Sequence, residues 1–164
     1  MNINLKDIVI LDFEASGLSD DSYPIEFGIA TNEVVSSALI KPHSSWNHWS
    51  DDAEKIHNIK RETLFDDGIE RLEAIKTIKA LTENKYVFSD NPRYETMWLN
   101  KLLESESLNF QLNIYNLYEL DFDLQTYSDY IHTNKCNYTL HRAGDDANLI
   151  RKALIHSLEK GFKI

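Results

Sequence analysis

Leu11-Asp12-Phe13-Glu14-Ala15-Ser16-Gly17-Leu18 follows directly on Ile8-Val9-Ile10. A short, continuous, β-branched apolar run is the pattern of a strand buried on both faces. Side chains alternate along a strand, so Asp12 and Glu14 leave the same face, in line with Ile8 and Ile10. Two carboxylates at the end of a buried strand are costly unless something pairs with them. No Lys or Arg lies between Asp7 and Lys41, which makes a bound cation the nearest local partner. Ser16-Gly17 then supplies a turn whose backbone can approach a ligand closely. Taken alone, such an Asp-x-Glu reads as acids at a strand's solvent edge; the remainder of the chain decides.

Outward from that stretch, residues 8–14 form the first expected strand. Tyr23-Pro24 opens a second over 25–30, and Thr31-Asn32-Glu33 turns into a third over 34–40, closed by Pro42. Three strands so close in sequence suit an antiparallel meander. Glu26 sits inside the second among apolar neighbours, either as an outward edge residue or as a partner near Asp12 and Glu14. Trp46 and Trp49 read as plugs of their loop onto the body of the fold. Ser50 or Asp51 caps a short helix ending at Ile56-His57-Asn58-Ile59, with acids in its first turn. Leu72, Ile75, Ile78 and Leu81 mark a longer helix over 67–81. Tyr86-Val87-Phe88 is a fourth strand. Asn91 as cap and Pro92 at the first helical position open a helix carrying Glu95 beside its apolar stripe. Residues 114–117 make a fifth strand and 123–132 a helix, whose acids read as a solvated face.

The second strong signal is Thr139-Leu140-His141-Arg142-Ala143-Gly144-Asp145-Asp146-Ala147. Ala143, Asp146, Ala147, Ile150 and Leu154 recur at spacings of three and four, which puts Asp146 on a buried stripe. Asp145, about 100° away on a helix, shares a face with Lys152 and His156 and should be solvated. Period alone chooses between two adjacent acids.

A chain of 164 residues is most simply one domain, residues 1–164, with a single substantial core. No apolar run is long enough to span a bilayer, and the first seven residues do not read as a secretory signal. One cysteine, Cys136, excludes an internal disulfide and a cysteine-rich zinc site, and fits a reducing cytoplasm. Seventeen basic against 27 acidic residues give a net charge of −10, which argues against non-specific binding of long nucleic acid through its phosphates. A metal-loaded pocket that takes a strand end or a short oligomer is compatible with it.

Together, the first strand offers Asp12 and Glu14, the region after the fourth offers Asp90 or Glu95, and the last helix offers Asp146 with His141 nearby. Oxygen-only ligands select hard ions such as Mg²⁺ or Mn²⁺. Two such ions about 3.5–4 Å apart clamp the attacking and leaving oxygens of a phosphodiester. An imidazole, with its ordinary pKa of roughly 6.5, can take the proton of the attacking water. The expected reaction is metal-dependent phosphodiester hydrolysis.

Four segments, Asp12-Phe13-Glu14-Ala15-Ser16-Gly17-Leu18, Ile56-His57-Asn58-Ile59, Ser89-Asp90-Asn91-Pro92-Arg93-Tyr94-Glu95 and His141-Arg142-Ala143-Gly144-Asp145-Asp146, resemble the successive motifs of the DEDDh 3′→5′ exonucleases. That superfamily includes polymerase proofreading subunits and oligoribonuclease. The resemblance implies a ribonuclease H-like α/β fold, a mixed five-stranded sheet of three antiparallel strands plus two further strands, flanked by helices. It also implies two Mg²⁺ or Mn²⁺ ions and release of 5′-mononucleotides from a 3′ end. Carried over, Asp12, Glu14 and Asp146 are metal ligands and His141 is the general base. The backbone of Ser16, Gly17 and Leu18, with the side chains of Leu18, His57 and Tyr94, holds the terminal nucleotide. The family's second-motif aspartate falls on Glu95, by its spacing from Asn91 and Tyr94. Glutamate keeps the charge but adds a methylene, a shift that matters where small misplacements slow chemistry; Asp90 is the alternative ligand. The expected substrate is a single-stranded 3′ end or short oligonucleotide, RNA or DNA. A protein partner that delivers it is compatible with the acidic surface. The second reading is a non-catalytic module that keeps the fold and binds nucleic acid or protein.

Overall fold

A computed structural model of the chain describes residues 4–161. Its strands are β1 (Ile8–Ala15), β2 (Pro24–Ala30), β3 (Val35–Leu39), β4 (Tyr86–Ser89) and β5 (Ile114–Asn116). They lie in the order β3-β2-β1-β4-β5, with β3, β2 and β1 antiparallel and β4 and β5 parallel to β1. The helices are α1 (Asp51–His57), α2 (Arg61–Asp66), α3 (Arg71–Thr82), α4 (Pro92–Ser105), α5 (Leu124–Asn134) and α6 (Ala143–Gly161). The expected α/β arrangement, a five-stranded mixed sheet with helices on both faces, is the one observed. No helix among the described residues is long and apolar enough to cross a membrane.

The alternation in β1 divides the core in two. Val9, Leu11, Phe13 and Ala15 pack with Ile75 and Ile78 of α3 and Trp98 and Leu102 of α4. Ile8 and Ile10 face the other way, onto Tyr127 of α5 and Ala147 and Leu154 of α6. Asp12 and Glu14 continue that second face and are the positions of β1 that are not fully buried. The register of β1 against β2 shifts after Glu14↔Glu26, with Ala15 opposite Pro24. Ile25 is thus an extra residue, and such a bulge re-aims side chains beside a site.

The helix expected over 67–81 begins instead at Arg71, and the short α2 precedes it. The cause is tertiary. Ile69 forms a parallel bridge with Ile40, its N–H donating to Leu39 O at 2.8 Å while Lys41 N donates to Ile69 O at 2.9 Å. Those bonds hold residues 67–70 out of the helix. At α1 the cap is Ser50, whose Oγ accepts from Ala53 N at 3.3 Å. Asn91 occupies the cap position of α4 with Pro92 in the first turn, but its side chain makes no capping hydrogen bond. Trp46 is buried and stacked on Tyr23 with centroids 5.0 Å apart, so that loop is plugged onto the core.

The N-terminus of α6 presses onto the sheet because two glycines let it. A Cβ on Gly28 of β2 would stand 2.0 Å from the backbone carbonyl of Ala143, and one on Gly144 would stand 2.6 Å from Ser37 Oγ of β3. Gly28→Ala is expected to push α6 outward at an overpacking cost of about 1–3 kcal/mol. The midpoint of a thermal melt should fall by about 2–4 °C for each kcal/mol; an unchanged melt would show that the helix has room to spare.

Candidate active site

Strands β1 and β4 run parallel, and their carboxyl ends open onto one side, where open α/β sheets place ligands. Asp12 and Glu14 reach that side from β1, and Asp90 follows β4 directly. Glu95 lies in the first turn of α4 and Asp146 in the first turn of α6. These five carboxylates and His141 line a single cavity of about 480 Å³. Its other walls include Tyr94, Trp98, Tyr118, Tyr127 and Leu149, and among the described residues no lysine or arginine lines it. Asp90 and Glu95, alternatives in the sequence, both border it. Glu95 is 3% exposed, its Oε2 buried with no hydrogen-bond partner; Asp90 is exposed at the rim.

Burial and mutual repulsion push these acids toward protonation. Burial is the largest cause at Asp12, followed by the charges of Glu14, Asp146, Asp90 and Glu26, and it holds the Asp12 carboxyl well above its usual range. Glu95 is raised likewise, by burial and then by Asp12, Asp90 and Glu14, against a backbone hydrogen bond from Phe13. Glu14 is pushed up to about 8 by burial, Asp146 and Glu26, with Arg142 opposing. Asp146 is raised to about 6, burial outweighing the hydrogen bond and charge of His141 that oppose it. A cluster of this kind, with a buried carboxylate oxygen left over, has the chemistry of a cation site. Hard divalent ions fit the oxygen donors.

His141 stands in the turn before α6 in a left-handed conformation, φ 60°. Its N–H donates to Asp146 Oδ2 at 2.9 Å. Coordinating atoms of Glu14, His141 and Asp146 all lie within 4.8 Å of one another. The imidazole is exposed, while the two acids are half-buried. Asp145, expected to be solvated, is also half-buried, because its Oδ2 accepts from Thr139 N at 2.8 Å. It lies off the buried stripe but is used to hold the turn.

The positions expected to hold a nucleotide divide into two groups. Leu18, 69% exposed, borders both the acidic cavity and a neighbouring one of about 280 Å³ that Gly17, Ile56, His57 and Trp98 also line. His57 is buried; its Nδ1 accepts from Ile59 N at 3.0 Å, and its Nε2 has no partner. Burial lowers its pKa, with Glu54 and Glu26 opposing. The neutral ring thus carries its proton on Nε2 as an unused donor. Tyr94 stacks on Trp98 with centroids 5.4 Å apart, and Trp98 Nε1 donates to Ser22 Oγ at 2.9 Å. Ser16, by contrast, is 1% exposed and committed to the turn itself. Its N–H donates to Tyr23 O and its carbonyl accepts from Ser50 N, both at 2.9 Å; its Oγ accepts from Tyr23 N and meets His48 Nδ1, both at 3.1 Å. Gly17 has φ 154°, and a Cβ there would meet His48 Cε1 at 2.5 Å. Gly17 and Leu18 therefore present the open part of the turn.

Arg142, whose partner no local pattern in the sequence announces, pairs with Glu26 across 116 residues. Trp98 lines both cavities, and Tyr118 and Tyr127 line the acidic one. The position of Trp98 on the α4 stripe signals burial, and the walls of a cavity leave no further mark in a single sequence.

No protein-family model and no curated protein sequence matches the chain. Solved structures do. The nuclease domain of 3'hExo, a DEDDh family member bound to rAMP, is 19% identical with a TM-score of 0.68, over 99% of this chain and 96% of that one. Escherichia coli exonuclease I in complex with an oligonucleotide is 11% identical with a TM-score of 0.62, over 93% of this chain and 40% of that one. Exonuclease I from Methylocaldum szegediense is 12% identical with a TM-score of 0.64, over 90% of this chain and 40% of that one. The chain therefore spans less than half of the exonuclease I proteins and nearly all of the 3'hExo nuclease domain. The fold is the ribonuclease H-like fold of the DEDDh exonucleases.

Proposed function

We propose that the protein is a 3′→5′ exonuclease that hydrolyses single-stranded or short oligonucleotides to 5′-mononucleotides with the help of two Mg²⁺ or Mn²⁺ ions. One observation carries the reading: carboxylates from β1, the end of β4, α4 and α6 line one cavity, and among the described residues no lysine or arginine joins them in its wall. Asp12, Glu14, Asp146 and Glu95 would hold the ions, with Asp90 at the rim as the alternative to Glu95. When bound, such ions stabilise the charge that develops on the phosphate oxygens. His141, exposed beside Glu14 and Asp146, accepts the proton of the attacking water. Leu18 and Tyr94 hold the terminal nucleotide, and His57 offers its Nε2–H to an acceptor on it. The net charge of −10 favours short strands, for which few phosphates need neutralising. A single exposed cysteine suits a reducing cytoplasm.

The resemblance of the motifs in this sequence to those of the DEDDh enzymes supports the same reading. The buried Glu95, standing for an aspartate in that pattern, favours the second one, a binding module without turnover. End-labelled oligonucleotides of graded length separate them, with Mg²⁺ or Mn²⁺ present and then with chelator. Stepwise shortening from the 3′ end that chelator stops is the expected result; an intact ladder at every length supports the module. His141→Ala is expected to slow shortening about 10²-fold or more while Mn²⁺ still binds. Loss of Mn²⁺ binding in that variant would make His141 a ligand rather than the base.

A further inference from the structure

Glu26 is a buried acid that the chemistry above does not use. It is 2% exposed and sits directly opposite Glu14 in the β1–β2 register, where like charges destabilise a pair of strands. Its carboxylate is turned to α6 instead. Arg142 Nη2 donates to Oε1 at 2.6 Å and Arg142 Nε to Oε2 at 3.0 Å, and Ala143 N donates to Oε2 at 3.0 Å. The bidentate fork and the amide bond satisfy both oxygens. Arg142 and Ala143 follow His141 immediately, and Ala143 opens the helix that carries Asp146. The same residue meets Gly28 with no room for a Cβ, so β2 grips this corner at two points.

We infer that Glu26 is a positioning residue: through Arg142 and the Ala143 amide it sets the depth and angle of the His141 turn against Glu14. The inference rests on the exonuclease reading for its kinetic consequence but not for its geometry. Without the carboxylate, the left-handed His141 turn keeps only the bonds supplied by Asp145 and Asp146. Its ring then loses the fixed approach that proton transfer needs.

Glu26→Gln preserves size and can still accept from the Ala143 amide, but it presents an NH₂ group to the guanidinium. In the full chain its kcat should fall about 10–100-fold, as for the loss of a supporting hydrogen bond at a catalytic group. KM for a short oligonucleotide and the affinity for Mn²⁺ should each change less than about 3-fold. Arg142→Lys keeps the charge without the fork and should lose less than Arg142→Met. Amide hydrogen exchange in the metal-free protein gives a readout independent of turnover. The His141 and Ala143 amides should exchange about 10-fold faster in Glu26→Gln while those of β1 stay protected. Wild-type kcat with unchanged protection of these two amides would overturn the proposal, as would a loss confined to KM. Should Glu26→Gln fail to fold, equal kcat in Arg142→Lys, Arg142→Met and the wild type would overturn it. If the wild-type chain shortens no oligonucleotide, the exonuclease reading fails, and amide exchange alone then decides the positioning role.

Discussion

Asp12→Asn is expected to lose about 10³-fold or more in turnover and, in the same molecule, to melt higher than the wild type when metal is removed. The two effects share one origin. Asp12 is half-buried beside Glu14 and Asp146, with Asp90 and Glu26 also contributing repulsion. In the proposed function that concentration of charge is what holds the ions, whose stabilisation of the transition state amounts to several kcal/mol, about tenfold per 1.4 kcal/mol. Without ions it is a strain on the fold, since a buried carboxylate lacking a counter-charge opposes folding. An isosteric amide removes charge and strain together, a trade of stability against activity common at working sites. Single-turnover kinetics with excess enzyme and a melt in chelator check the two halves. Near-wild-type turnover in Asp12→Asn would remove Asp12 from the ion site; a lower melt would show that its carboxylate is structurally paired.

The metal-free protein should lose stability as pH rises from about 4 to 8, and Mn²⁺ should restore it most at the upper end. The sign follows from the acids. Glu14 is raised from 4.5 to about 8 and Asp146 from 3.8 to about 6. Between the unfolded and folded values the native chain holds more protons than the unfolded one. Stability therefore falls with rising pH through that window and levels off above about 8. Ions compete with those protons, so their affinity grows as pH climbs. At a hundredfold excess over its Kd, a ligand contributes about 2.7 kcal/mol, or about 5–10 °C in a domain of this size. Differential scanning calorimetry in chelator and in Mn²⁺ at three pH values measures both. A chelator melt that rises with pH, or an Mn²⁺ shift that is absent at pH 8, would refute the cluster's titration.

Individual residues show how far one sequence carries. The two-residue period placed Asp12 and Glu14 on one face of β1, and the helical period separated Asp146 from Asp145, because both patterns are local and repeat along a single element. Helix α2 left no such pattern, since Leu64 is its one buried side chain. The start of α3 is set by Ile40, about thirty residues away, which no local window contains. Glu26 was legible as an anomaly, a charge inside an apolar strand, but its partner Arg142 lies 116 residues on. Ser16 was expected to offer its backbone to a ligand and is instead consumed by Tyr23 and Ser50. Turns announce themselves by their residue types, whereas the uses of their hydrogen bonds depend on what packs against them.

The close seating of α6 on Gly28 and Ser37 also bears on how the molecule comes into being. Asp12 and Glu14 leave the ribosome more than a hundred residues ahead of Asp146 and His141. Until the last helix docks, the acids of β1 stand without the groups that face them across the cavity. In the proposed function, a fragment ending before residue 141 lacks both His141 and Asp146 and should shorten no oligonucleotide.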